Sequence, residues 1–175
     1  MLRGIAIVVV AAIAALLAYA AMQPDTFRVE RATGIKAPPA KVFALVNDYR
    51  NWGAWSPWEK MDPEMKRSFS GAASGKGSQY AWEGNSKVGS GRMEITESTP
   101  PSRVALKLDM LKPFEAHNAI EFRMEPRGDA TYVSWSMSGP QPYLAKLVCL
   151  FVSMDGMVGK DFETGLANLK AAAEK

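Results

Sequence analysis

Residues 5–22 are apolar at every position and carry no charge, whereas from Thr26 onward apolar and polar residues alternate. The first stretch has no polar face, which excludes an amphipathic helix laid on a soluble core. Its 18 residues would rise about 27 Å as a helix, close to the hydrocarbon thickness of a bilayer. Tyr19 stands near one end, where an interfacial aromatic is favoured; Arg3 precedes the run and Gln23-Pro24-Asp25 closes it. Two readings stand: an uncleaved single-pass anchor, or a secretory signal peptide cut near Ala20 after Ala18-Tyr19-Ala20. A core longer than the roughly 7–15 apolar residues of a signal favours the anchor. The chain thus divides into 1–23, anchor or signal, and 24–175, one domain. Arg3 argues for an inside amino terminus and Arg28, Arg31 and Lys36 argue the other way, but a large following domain translocates regardless of such charges. We read the domain as lying outside the cytoplasm, on the periplasmic side in a bacterium, with secretion after cleavage as the alternative.

Within the domain, residues 26–36 alternate Phe27 and Val29 against Arg28 and Glu30 and predict a strand. Ala37-Pro38-Pro39 ends it and opens a helix, since proline suits a first turn. Val42, Phe43, Leu45 and Val46 then recur at helical spacing over 41–48, and 49–63, dense in Trp, Gly and Pro, reads as loop or short helix. Period two returns as strands over 65–71, 78–83, 91–99, 102–110, 114–125 and 131–137, separated by Gly-, Ser- and Pro-rich turns. Val104, Leu106, Leu108 and Met110 form one face of their strand; Phe114, Ala116, Asn118, Ile120, Phe122 and Met124 do so in the next, and Val133, Trp135 and Met137 in the last. One apolar face per strand means an antiparallel sheet packed on one side. After Gly139-Pro140-Gln141-Pro142 the pattern is helical to the end, with Leu144, Leu147, Val148, Phe151 and Val152 followed by Val158, Phe162, Leu166 and Leu169. Gly156 and Gly159 each weaken that helix by about 1 kcal/mol relative to Ala, which predicts a kink or break there, with Asp155 placed to cap a new start.

The predicted class is α+β: a curved antiparallel sheet of about seven strands wrapped on a long C-terminal helix, preceded by a transmembrane helix. A long meander twists strongly and its apolar face needs that helix as a cover. A curved sheet around one helix leaves a cleft between them.

Several short cues recur in a fixed order. They are Ile35-Lys36-Ala37-Pro38-Pro39 with Val42-Phe43, then Trp52, Trp55-Ser56-Pro57-Trp58, then Trp82, Gly89 and Gly91. Pro100, Lys112-Pro113-Phe114 and the set Thr131, Val133, Trp135 follow, and Met157-Val158-Gly159, Asp161-Phe162, Gly165-Leu166 and Leu169 complete the series. Over residues 26–170 this order resembles the helix-grip fold of the START and birch-pollen-allergen (SRPBCC) superfamily, in its bacterial branch of polyketide cyclase/dehydrase and lipid transport proteins. The resemblance implies a hydrophobic small molecule held between helix and sheet. It transfers no catalytic motif, because the superfamily hosts carriers, cyclases, activators and sensors.

Charge and chemistry narrow the picture further. The net charge of +3 is small and its basic residues are scattered, so nucleic acid is not an expected partner. His117 is the only histidine and Cys149 the only cysteine; they cannot supply a nucleophile, base and orienter, a zinc site or a disulfide, and no metal or cofactor is expected. His117 falls on the polar side of its strand with Glu115 and Glu121, either as an exposed sheet residue or as a base near the cavity mouth. Trp52, Trp55 and Trp58 either rim a pocket or plug the open end of the sheet. Asn118 breaks an apolar face, and a buried unpaired amide costs about 1–3 kcal/mol unless a partner or ligand meets it. Leu150 and Cys149 either pack on the Trp segment or rest on a bilayer beside the anchor. The expected ligand-binding set is Trp55, Trp58, Trp82, Met93, Leu106, Leu108, Phe114, Asn118, Ile120, Trp135, Met137, Phe151, Met154, Val158 and Phe162, with no catalytic residue. The function taken is membrane-anchored binding of a lipid or other apolar molecule, with the membrane contacted through residues 5–22. A cyclase/dehydratase-like enzyme and a ligand-free interaction module are the alternatives.

Overall fold

The computed structural model describes residues 2–175. Helix α1 (Leu2–Ala21) leads into β1 (Thr26–Ile35) and α2 (Pro39–Val46), then two short 3-10 turns, Tyr49–Ala54 and Pro57–Lys60. Six strands follow: β2 (Lys66–Gly71), β3 (Ser78–Glu83), β4 (Ser90–Thr99), β5 (Arg103–Lys112), β6 (Ala116–Arg127) and β7 (Ala130–Pro140). Helices α3 (Tyr143–Cys149) and α4 (Met154–Ala173) close the chain. The seven strands form one antiparallel sheet in the order β1-β7-β6-β5-β4-β3-β2. Consecutive hairpins explain the run from β2 to β7, and β1 returns beside β7 to leave an edge against which α4 packs.

Alternation sets the inward face. Val29 and Ile35 of β1, Val104 and Leu106 of β5, Ile120, Phe122 and Met124 of β6, and Val133, Trp135 and Met137 of β7 are buried against Phe162, Leu166 and Leu169 of α4. The predicted fold class holds, and the antiparallel register brings the start of β1, the end of β7, and the β3–β4 and β5–β6 loops to one end of the sheet. Because α1 runs into β1, this is also the end where the apolar helix joins the domain. Over Arg3–Ala21, α1 is long and apolar enough to cross a membrane, a property that a signal sequence shares.

Three expectations are corrected. The C-terminal segment is two helices, and it breaks upstream of the glycines, over residues 150–153. Ser153, not Asp155, caps α4: its Oγ accepts the Gly156 N–H at 3.0 Å, so Gly156 sits in the first turn, where a glycine is tolerated. Phe114, predicted to face inward, precedes β6 and is 81% exposed.

Candidate functional site

The hollow between α4 and the middle of the sheet is filled by the chain's own aromatic rings. Trp135 stacks on Phe162, centroids 4.2 Å apart and planes 9° from parallel, and on Phe122 at 4.9 Å. Trp55 and Trp58 meet Trp135 edge-on at 5.5 and 5.7 Å. The Trp52 and Trp55 indole N–H groups donate to the Val46 and Leu45 carbonyls at 2.9 and 3.0 Å, satisfying the end of α2. These two tryptophans are therefore plugs, not rim residues, while Trp58 remains half-buried.

The expected binding residues fall into three groups. Trp55, Met93, Leu106, Ile120, Trp135, Met137 and Phe162 are buried in the packed core. Trp58, Trp82, Leu108, Met154 and Val158 are half-buried around it. Phe114 and Phe151 are exposed and are not brought to the inner face. Asn118 is only 9% exposed. Leu108 of β5 pairs with it on one side, and Gly139 of β7 lies on the other. A methyl group at Gly139 would stand 2.1 Å from Asn118 Oδ1 and 3.0 Å from the ring of Phe27, so amide and ring meet over that glycine. Among the described residues, the side chain of Asn118 has no hydrogen-bond partner.

Phe27 has a second side. It lines a groove of about 270 Å³ at the edge of β1, with Val29, Leu150 and Met154 as further apolar wall and Gln141, Lys146, Ser153 and Asp155 as polar wall. The volume lies just below the roughly 300–1,000 Å³ usual for small-molecule pockets. The groove sits where α1, β1, β7, α3 and α4 converge, and Gln23 completes it. Cys149 and Leu150 belong to this groove and not to the Trp segment.

Ion pairs fix the groove's frame. Arg31, on the inward side of β1, donates to both Asp155 carboxylate oxygens at 2.8 and 2.9 Å and to Glu163 at 2.7 Å, so α4 is tied to the edge strand. These bonds raise the guanidinium's pKa, and Arg31 in turn holds the Asp155 carboxyl below its ordinary range. Lys146 is buried, and its Nζ donates to Asp25 at 2.6 Å, which lowers the Asp25 pKa. On α4, Asp161 lies one turn from Val158 and Gly165, on the flank turned to the Pro57 turn; partial burial raises its carboxyl pKa. Phe27 and Lys146 were missed as site residues. Lys146, the lone charge in an apolar helical run, was the legible clue.

His117 lies on the convex face, away from the cleft. Its Nδ1–H donates to Asp109 at 2.6 Å, and Arg92 and Lys107 approach the same carboxylate at 3.1 Å. The hydrogen bond from His117, with those from Lys107 and Arg92, holds the Asp109 pKa down to about 2. A depressed pKa stabilises the fold above the ordinary value of 3.8, and that contribution is lost as pH falls from there towards 2. The cations covering Asp109 are themselves solvated, so the expected contribution is on the order of 1 kcal/mol. Urea unfolding of the full-length protein in detergent should show Asp109→Asn less stable than the parent at neutral pH, with the gap closing in strong acid. A gap that persists in acid would refute the linkage.

A curved antiparallel sheet closed by a C-terminal helix, with an apolar core between them and a groove at one end, defines a helix-grip protein. The chain belongs to the family described as polyketide cyclase / dehydrase and lipid transport, whose model matches residues 26–174. Solved structures agree in fold. The Aha1 dimer from Colwellia psychrerythraea is 18% identical, with 85% of this chain and 96% of that one covered, at a TM-score of 0.60. Major latex-like protein 151 from Panax ginseng is 13% identical, with 87% and 100% covered, at 0.63. The di-domain ARO/CYC BexL of the BE-7585A biosynthetic pathway is 15% identical, with 90% of this chain and 53% of that one covered, at 0.63. No curated protein matches the chain in sequence.

Proposed function

We propose that the protein is a membrane-anchored binder of a lipid or other apolar small molecule carrying one hydrogen-bonding group. The molecule enters by the groove between β1 and the α3–α4 break, displaces the ring of Phe27, and sets its polar group on Asn118. The observation that carries this reading is the side chain of Asn118, which lies on the inner face at 9% exposure, makes no hydrogen bond among the described residues and meets the Phe27 ring over Gly139. An amide with no protein partner has both donor and acceptor capacity left for a ligand's polar group. Leu108, the cross-strand neighbour of Asn118, and Phe27 and Met154 of the groove wall supply apolar surface for the rest of the guest. Because the centre of the grip is filled by Trp135 and its neighbours, the guest lies near the end joined to α1.

The full-length protein, extracted and delipidated, is the material for the test. Native mass spectrometry before delipidation should reveal a bound mass, and cis-parinaric acid should bind afterwards. Absence of both would refute the reading. Asn118→Leu is expected to weaken cis-parinaric acid binding tenfold or more, since it deletes the amide that would meet the ligand's polar group. Unchanged binding would remove Asn118 from the site. A second reading, an interaction module without a ligand, is favoured by the filled aromatic centre alone. It predicts that neither mass nor probe is found.

A further inference from the structure

We propose that α3 and the break after it form an interfacial foot, which rests on the bilayer beside α1 and seats the groove at the lipid surface. The inference rests on α1 crossing the membrane, and it concerns where the domain sits rather than what it binds.

The depth of α3 follows from one contact. Tyr143, the first residue of α3, donates its phenol O–H to the Leu17 carbonyl at 3.1 Å. Leu17 lies four residues before the end of α1, or about 6 Å along the helix axis. A helix pinned there begins where hydrocarbon gives way to head groups, the depth that tyrosine favours. Tyr19 of α1 is exposed at the same level.

The rotation of α3 follows from a second contact. Lys146 is turned inward and bonded to Asp25, at the junction of α1 and β1. With Lys146 inside, the opposite side of α3 points away from the domain. That side carries Leu144 and Val148, four residues apart and so on one face, and the break adds Phe151 and Val152. Leu144 is 74% and Phe151 77% exposed. Contiguous large apolar side chains at a surface mark a contact site and are not scattered exposure. The occupant assigned is lipid. The patch adjoins the apolar surface of α1, where Ile13, Leu16 and Leu17 remain partly exposed beside α3. The one lysine of α3 is turned inward and paired with Asp25, so Leu144, Val148, Phe151 and Val152 present the apolar outer side.

The consequence is a route. Cys149 and Leu150 line the groove while Val148 and Phe151, on either side of them, face outward. A guest leaving the bilayer at the foot reaches the groove without crossing water.

Single-cysteine variants of the full-length chain, made in a Cys149→Ser background and labelled with NBD, test this in vesicles of phosphatidylcholine and phosphatidylglycerol. The positions are Ala12→Cys in α1, Leu144→Cys and Phe151→Cys in the foot, and Asp129→Cys in the β6–β7 turn at the far end. We expect Ala12 to be quenched by lipids with mid-chain nitroxides. Leu144 and Phe151 should be quenched by shallow nitroxides several-fold more than Asp129, which iodide alone should quench. If Ala12 is deep but Leu144 and Phe151 behave like Asp129, the foot is wrong and the anchor stands. If Ala12 is itself in water, foot and anchor fail together. Protection of Leu144 and Phe151 from both iodide and nitroxide lipids would assign the patch to a protein partner, such as a second copy, and overturn the proposal. Loss of cis-parinaric acid binding is scored separately, so neither outcome stands in for the other.

Discussion

Replacing Trp135 by alanine is expected to cost about 3–5 kcal/mol, the range for deleting a large buried aromatic. Trp135 is the ring that all parts of the grip share: Phe122 of the sheet, Phe162 of α4, and Trp55 and Trp58 of the 3-10 segment each touch it. Its removal would leave a cavity at the junction of three elements, and rigid rings collapse into such a space poorly. One opposing effect is present. The Trp135 indole N–H is buried without a partner, which subtracts about 1–3 kcal/mol from what the side chain contributes. Trp135→Phe keeps a stacked ring and sheds that N–H, so its loss should be much the smaller of the two. Urea unfolding of the full-length protein in detergent separates them. A Trp135→Ala loss below about 1 kcal/mol would mean that the stack is not the core it resembles. The same variant carries a functional expectation. If the filled centre confines a guest to the groove, opening the centre should raise the amount of cis-parinaric acid bound even as stability falls.

Gly165→Val is expected to destabilise by about 2–3 kcal/mol, although it replaces a glycine inside a helix. A Cβ at Gly165 would stand 2.6 Å from Cζ3 of Trp135 and 3.2 Å from Cδ of Pro57. Both are parts of rigid rings that cannot swing aside. Removing a glycine from a helix interior gains at most about 1 kcal/mol, whereas forcing atoms into a packed core costs about 1–3 kcal/mol or more. Packing therefore outweighs propensity. Ala167→Val on the exposed side of α4 is the control, expected within about 0.5 kcal/mol of the parent. Near-ultraviolet circular dichroism should report loss of the ordered Trp135–Phe162 stack in Gly165→Val and not in the control. An unperturbed Gly165→Val spectrum with parental stability would show that α4 can lift off the sheet freely.

How much of this was readable along the chain depended on the range of the interaction. The strands were legible because alternation is local: Val104 to Met110 and Asn118 to Met124 announce a one-sided sheet wherever the chain folds. Asn118 was legible as an anomaly for the same reason, since a lone amide breaks a period-two apolar face. The break after α3 was not, because the apolar run continues through residues 150–152 and only the Ser153 cap marks a new start. The glycines nearby drew the expected kink downstream, on propensity that capping overrode. The Asp109–His117 pair was not legible, because His117 lies across a strand pair, a register that single-strand patterns do not contain. Phe114 and Phe151 were assigned inward as large apolar residues, but the loop before β6 and the break before α4 turn both outward.

Hydrophobic periodicity and one uninterrupted greasy run determined the sheet, its cover helices, and a segment fit for a bilayer, because burial of apolar surface acts on each element through its own repeat. Whether the space under α4 is hollow or filled was decided by the tertiary structure alone. Six rings from the sheet, the 3-10 segment and α4 converge there, and packing is a property of side chains distant in sequence. The same holds for the groove beside β1. It exists because Lys146 reaches Asp25 and Arg31 reaches Asp155 across more than a hundred residues, contacts that no local pattern encodes.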